Sequence, residues 1–145
     1  MKRPIVSLVL LASTFVVGAV PNAQAQQCTN ASLKGSYGFY STGFNVPAGT
    51  PRVTLGRETY DGNGNFTNTV TVNSNGTVIH GNNFGTYTVN ADCTGTLFDK
   101  LSGVTTEFVL VDGGKEIYRL IFQPSPATVV YGISKKQFPD DNGQD

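Results

Sequence analysis

The chain is predicted to fold as an all-β domain, an antiparallel up-and-down meander of about eight strands closing into a barrel. Three observations predict the meander. Between Leu33 and Ser134 no stretch of ten residues repeats its apolar positions with the 3.6-residue period of a helix. Short runs of Val, Thr, Tyr and Phe recur instead, each bounded by Gly, Asn or Asp. The connections between runs are short, which favours antiparallel neighbours, and closing eight strands removes the exposed edges.

The elements follow in order. Met1-Lys2-Arg3, an apolar run from Ile5 to Val20, Pro21 and then Ala23-Gln24-Ala25 form a charged start, a short apolar stretch and an A-x-A cleavage site. That pattern predicts a secretory signal peptide over 1–25, and hence a secreted or periplasmic protein. A retained anchor would need roughly 20 apolar residues and a stop-transfer flank. Residues 26–137 then form one barrel domain, with strands over 33–42, 53–60, 65–72, 84–89, 93–99, 106–111, 116–122 and 128–134. Residues 138–145, with Pro139 and three Asp, read as a disordered tail.

An oxidising compartment predicts a disulfide between Cys28 and Cys93. Closing so long a loop is worth up to about 4 kcal/mol by chain entropy. The pair lacks C-x-x-C spacing, so a structural role is expected rather than a redox one. Once Lys2 and Arg3 are removed, the chain is slightly acidic with no block of one sign. Nucleic acid and anionic membranes are therefore not expected as partners, and no membrane span is expected in the mature part.

Turn lengths predict which side chains point inward, because a slip of one residue reverses both faces of a strand. A loop over 61–65 sets Tyr60 opposite Phe66, turns Val70 and Val72 inward and leaves Thr67, Thr69 and Thr71 outside, with Arg57 exterior. It also turns Glu58 and Asn68 inward, opposite one another. A loop over 90–92 collects Tyr87, Val89, Cys93 and Leu97 on the inner face. A three-residue loop Asp112-Gly113-Gly114 places Phe108, Leu110, Tyr118, Leu120 and Phe122 inside. The same register pairs Glu107 with Arg119 across the outer face and leaves Val109, Val111, Ile117 and Ile121 there as an apolar set suited to a homo-oligomer contact.

An inward carboxylate is costly unless it is paired or hydrogen-bonded, and buried carboxyl groups serve as general acids and bases. Glu58 is thus the catalytic candidate. Tyr37, Glu58, Asn68, Tyr87 and Tyr118 are the candidate ligand-binding residues on the inner wall. Asp61, Asn63 and Asn65 alternate like the first half of a calcium loop, but Val72 stands where a bidentate Glu is required, so a hairpin turn is expected. The single His80 has no second histidine or free cysteine to share a metal and is expected in a loop. No serine, histidine and acid fall into a nucleophile motif, and no metal or cofactor is expected.

The words Gly35-Ser36-Tyr37-Gly38-Phe39, Tyr60-Asp61-Gly62-Asn63-Gly64-Asn65-Phe66 and Gly85-Thr86-Tyr87-Thr88-Val89-Asn90-Ala91-Asp92-Cys93-Thr94-Gly95-Thr96 carry a resemblance. They resemble a group of small exported bacterial proteins, mostly without an assigned activity, that look like calycin or allene oxide cyclase barrels. The likeness is clearest from Cys28 to about Thr96 and rests on turns and barrel glycines, which specify fold better than activity. Avidin-like and lipocalin barrels share the Gly-x-aromatic first strand but usually use tryptophan, and this chain has none. The resemblance implies either a non-catalytic barrel holding a small apolar ligand or a cofactor-free cyclase using Glu58. A surface interaction protein is the third expectation.

Overall fold

The computed structural model describes residues 27–46, 48–122 and 128–138. The expected signal peptide and the tail beyond Phe138 lie outside these residues. Eight strands, β1 (Lys34–Asn45), β2 (Thr50–Asp61), β3 (Asn65–Ser74), β4 (Thr77–Val89), β5 (Thr94–Asp99), β6 (Thr105–Val111), β7 (Glu116–Phe122) and β8 (Thr128–Lys136), run in sequence order. Each pairs antiparallel with the next, and β8 pairs with β1, so the barrel is closed. No helix among the described residues is long and apolar enough to cross a membrane.

The strands coil tightly because inward glycines face aromatic rings across the ladder. Phe39 lies opposite Gly56, Phe66 opposite Gly85 and Phe108 opposite Gly95. A Cβ on Gly56 would stand 2.1 Å from the Thr69 carbonyl oxygen and 2.7 Å from the Phe39 ring. Each ring therefore lies over a neighbouring backbone that a side chain would push away, a known device for bending a sheet into a barrel.

One half of the interior is solid. A 3-10 turn, Asn30–Ser32, crosses the barrel end and inserts Leu33 among Tyr37, Tyr60, Phe66, Tyr87, Leu110 and Ile117. Tyr60 packs edge-on against Tyr37 and Tyr87, with centroids 5.5 and 5.3 Å apart. The plug is tied down by polar bonds that its backbone would otherwise lack. Tyr87 Oη donates to the Leu33 carbonyl at 2.7 Å, and the Val89 N–H donates to Asn30 Oδ1 at 2.8 Å. Cys28 and Cys93 stand at disulfide distance, Cα to Cα 5.0 Å, joining the plug to the β4–β5 turn.

Three expectations are corrected. β4 begins at Thr77 rather than near 84, because Asn75 and Gly76, both at positive φ, form a two-residue hairpin turn. His80 consequently lies within that strand, 3.0 Å from Thr71 Oγ1, and not in a loop. The third correction, in β7, determines the site.

Candidate functional site

The β2–β3 turn sets the first half of the site. Asp61 Oδ1 accepts from the backbone N–H groups of Asn63 and Asn65, and Oδ2 accepts from Asn65 Nδ2 at 2.7 Å. These bonds, Asn65's side chain first, hold the exposed Asp61 carboxyl below its usual pKa. The turn fixes Tyr60 opposite Phe66 and hence Glu58 opposite Asn68, both on the inner side. Glu58 is buried, 2 % exposed.

The second half comes from β7, whose faces are the reverse of those expected. The β6–β7 connection uses Lys115 as well as Asp112, Gly113 and Gly114, pairing Val111 with Glu116. That extra residue flips the strand. The cause is at the plugged end, where the Tyr37 hydroxyl donates to the Gly114 carbonyl at 2.5 Å. A Cβ at Gly114 would meet the Ser32 carbonyl oxygen at 2.2 Å, so the connection packs directly on the plug. Arg119 therefore lies opposite Phe108 and points inward, while Glu107 faces Leu120, so the expected exterior Glu107–Arg119 pair does not form. Ile117 is buried, and Ile121 lines a cavity; neither belongs to an outer apolar set. Tyr118 and Leu120 are exposed on the outside instead.

Glu58 and Arg119 meet in the middle of the barrel. Nη1 donates to Oε1 and Nη2 to Oε2, both at 2.6 Å. Tyr60 Oη donates to Oε2 at 2.7 Å, and Arg119 Nη2 also donates to Ser134 Oγ. The guanidinium lies over the Phe39 ring, 5.3 Å from its centroid. Gly56, by leaving room for that ring, indirectly positions the cation. Burial works against the charge on Arg119, but the Glu58 carboxylate and Tyr60 outweigh it and raise the guanidinium above its ordinary pKa. Burial, reinforced by the Glu58 charge, pushes the Tyr60 phenol well above its usual range. A bidentate carboxylate of this kind acts as an acceptor and an anchor.

Beyond the pair, away from the plug, the barrel is hollow. A cavity of about 120 Å³ is lined by Phe39, Val70, Val72, Leu97, Ile121 and Val130, with Glu58, Asn68 and Arg119 also in its wall. Ser41, Thr128 and Asp99 contribute polar groups to the same wall. Asp99 Oδ1 is already engaged by the N–H groups of Leu101 and Ser102, both at 2.9 Å.

Of the sequence-predicted residues, Glu58 and Asn68 line this cavity. Tyr37 and Tyr87 point inward, but their hydroxyls bond backbone carbonyls of the plugged end, on the other side of the pair. Tyr118 is on the outer surface, 45 % exposed, because of the β7 reversal. The residues that sequence reasoning missed are Arg119, Tyr60, Ser41, Thr128 and Ser134. For Arg119 a signal existed, since an inward Glu58 requires an inward cation. For Ser41 the alternation from Tyr37 and Phe39 along β1 already points it inside.

No family model matches the chain, and no curated protein matches it. Among solved structures, the chain is similar in fold to the S-type phycobiliprotein lyase CPES from Guillardia theta, with a TM-score of 0.48 and 10% sequence identity, over 76% of this chain and 91% of that chain.

Proposed function

We propose that this is an exported, non-catalytic binding barrel that holds one small, largely apolar molecule. The observation that carries this reading is the cavity of about 120 Å³ with its largely apolar wall. Eight-stranded barrels are just wide enough for packed side chains or one small ligand. Here the plug fills one half and leaves the other half open to a ligand. The apolar N-terminal run with its A-x-A site and the cysteine pair at disulfide distance support export. Cyclisation by a free Glu58 carboxylate has less support, because both its oxygens are engaged by Arg119.

The test is an NMR titration of the disulfide-intact protein with a panel of neutral ring compounds of about six to eight non-hydrogen atoms, the size class of benzene in cavities near this volume. Binding is expected to move the methyl signals of Val70, Leu97, Ile121 and Val130, and Val70→Phe is expected to abolish those shifts. Unmoved cavity methyls across the panel would refute the reading.

A second reading, contact with another copy of this chain, is favoured by a different observation. The outer face of β7, β8, β1 and β2 carries two rows without charge: Tyr118, Ile133, Tyr40 and Leu55, then Leu120, Tyr131, Thr42 and Val53. Tyr40, Leu55, Tyr131 and Leu120 are all exposed. Such a face can meet its own copy without opposing like charges. Sedimentation equilibrium is expected to give a dimer that Leu55→Glu dissociates; a monomer at high concentration refutes it.

A further inference from the structure

Ser41 Oγ, Asn68 Oδ1, Arg119 Nε and Thr128 Oγ1 are the buried side-chain polar atoms that have no hydrogen-bond partner among the described residues. All four side chains line the one cavity. Ser41 and Arg119 are more than nine-tenths buried. Buried polar groups are almost always paired, so unpaired ones gathered around a single hollow call for a ligand that pairs them.

Their chemistry defines that ligand. Arg119 Nε can only donate, the Asn68 carbonyl oxygen can only accept, and the two hydroxyls can do either. The ligand must therefore offer both an acceptor and a donor. Charge narrows it further. The Arg119 cation is cancelled by Glu58 in a bidentate pair, the Asp99 carboxylate is engaged by its own turn, and Arg52, the other charged residue in the wall, has an interaction of its own. An anionic ligand would sit beside the Glu58 carboxylate, and a cationic one beside the Arg119 guanidinium, each without a free counter-charge from this pair.

We infer that the cavity selects a small neutral molecule with an apolar body and a polar end that both donates and accepts hydrogen bonds, such as a phenol, lactam or hydroxycarbonyl compound. The inference rests on the binding reading above and specifies its ligand class. A cavity with buried hydrogen-bonding groups rejects the analogue that lacks them, because those groups are then left unpaired.

The experiment compares phenol, δ-valerolactam, toluene and benzoate by calorimetry and by the cavity methyl shifts, using the disulfide-intact chain. Phenol and the lactam are expected to bind at least tenfold tighter than toluene and benzoate. Asn68→Leu and Thr128→Val are each expected to shrink that advantage from both sides, weakening phenol and lactam and strengthening toluene, which no longer strands the deleted group. Either variant suffices if the other fails to fold, as judged by circular dichroism. Toluene binding as tightly as phenol, benzoate binding tightest, or an advantage untouched by both variants would overturn the inferred class while the binding reading stands. If no compound moves the cavity methyls, the hollow holds water only and both the class and the reading fail.

Discussion

Replacing Glu58 with Leu leaves the buried Arg119 side chain without its carboxylate and removes the acceptor of the Tyr60 hydroxyl. Breaking a buried ion pair from one side costs about 3–5 kcal/mol. Arg119→Met from the other side leaves the Glu58 carboxylate with Tyr60 and Ser134 as its remaining side-chain hydrogen-bond partners among the described residues, at a similar cost. The double variant removes both charges and leaves mainly the Tyr60 hydroxyl unpaired, which costs about 1–3 kcal/mol. The two single losses together therefore exceed the double loss by at least about 3 kcal/mol, a coupling energy read from a double-mutant cycle. Urea unfolding of the four proteins, with the cysteine pair intact, measures it from the midpoints at constant m. Additive losses, with coupling below about 0.5 kcal/mol, would refute the account of β7 and return Arg119 to the outer surface.

Other perturbations follow from the same geometry. Gly56→Ala would drive a Cβ against the Thr69 carbonyl and the Phe39 ring, so it is expected to destabilise by about 1–3 kcal/mol or more in thermal unfolding; a neutral effect would contradict the ring-over-glycine packing. Replacing Cys28 and Cys93 together with Ser is expected to cost about 2–4 kcal/mol and to make stability insensitive to reductant. The Asp61 carboxyl has its folded pKa below its unfolded one, so its contribution is complete above about pH 4 and is lost as pH falls through the folded value. Asp61→Asn is expected to flatten that part of the acid limb of a urea-midpoint profile. Tyr60 has its folded pKa above its unfolded one. Its contribution is complete below about pH 10 and is lost as pH rises further, and Tyr60→Phe is expected to remove that alkaline loss.

Much of the barrel is legible because its turns are. The run Asp61-Gly62-Asn63-Gly64-Asn65 admits one loop length that pairs two aromatics, so Glu58 and Asn68 are turned inward correctly from sequence. The β6–β7 connection is different: Asp112-Gly113-Gly114 supports loops of two, three or four residues, and only burial pattern arbitrates among them. That pattern misleads here. The outside of β7, β8 and β1 is as apolar as the inside, so Tyr118 and Leu120 look like core and Arg119 looks like surface. What decides the register is a contact between segments far apart in sequence, Gly114 against Ser32, which no local rule carries. The site followed the same course. An inward Glu58 and an inward Arg119 each violate the alternation when read alone, and each is explained by the other, 61 residues away. The early part of β4 is illegible for a simpler reason, since Val78, Ile79 and His80 are all exposed and show no alternation.

A crystal structure of the disulfide-intact protein soaked with phenol bears directly on whether the closed barrel holds a polar-ended cavity. One phenol is expected in the hollow, its ring against Val70, Leu97 and Ile121 and its oxygen within hydrogen-bond distance of Arg119 Nε or Asn68 Oδ1. Ordered water alone in the hollow, or phenol bound only on the outer face of β8 and β1, would contradict it.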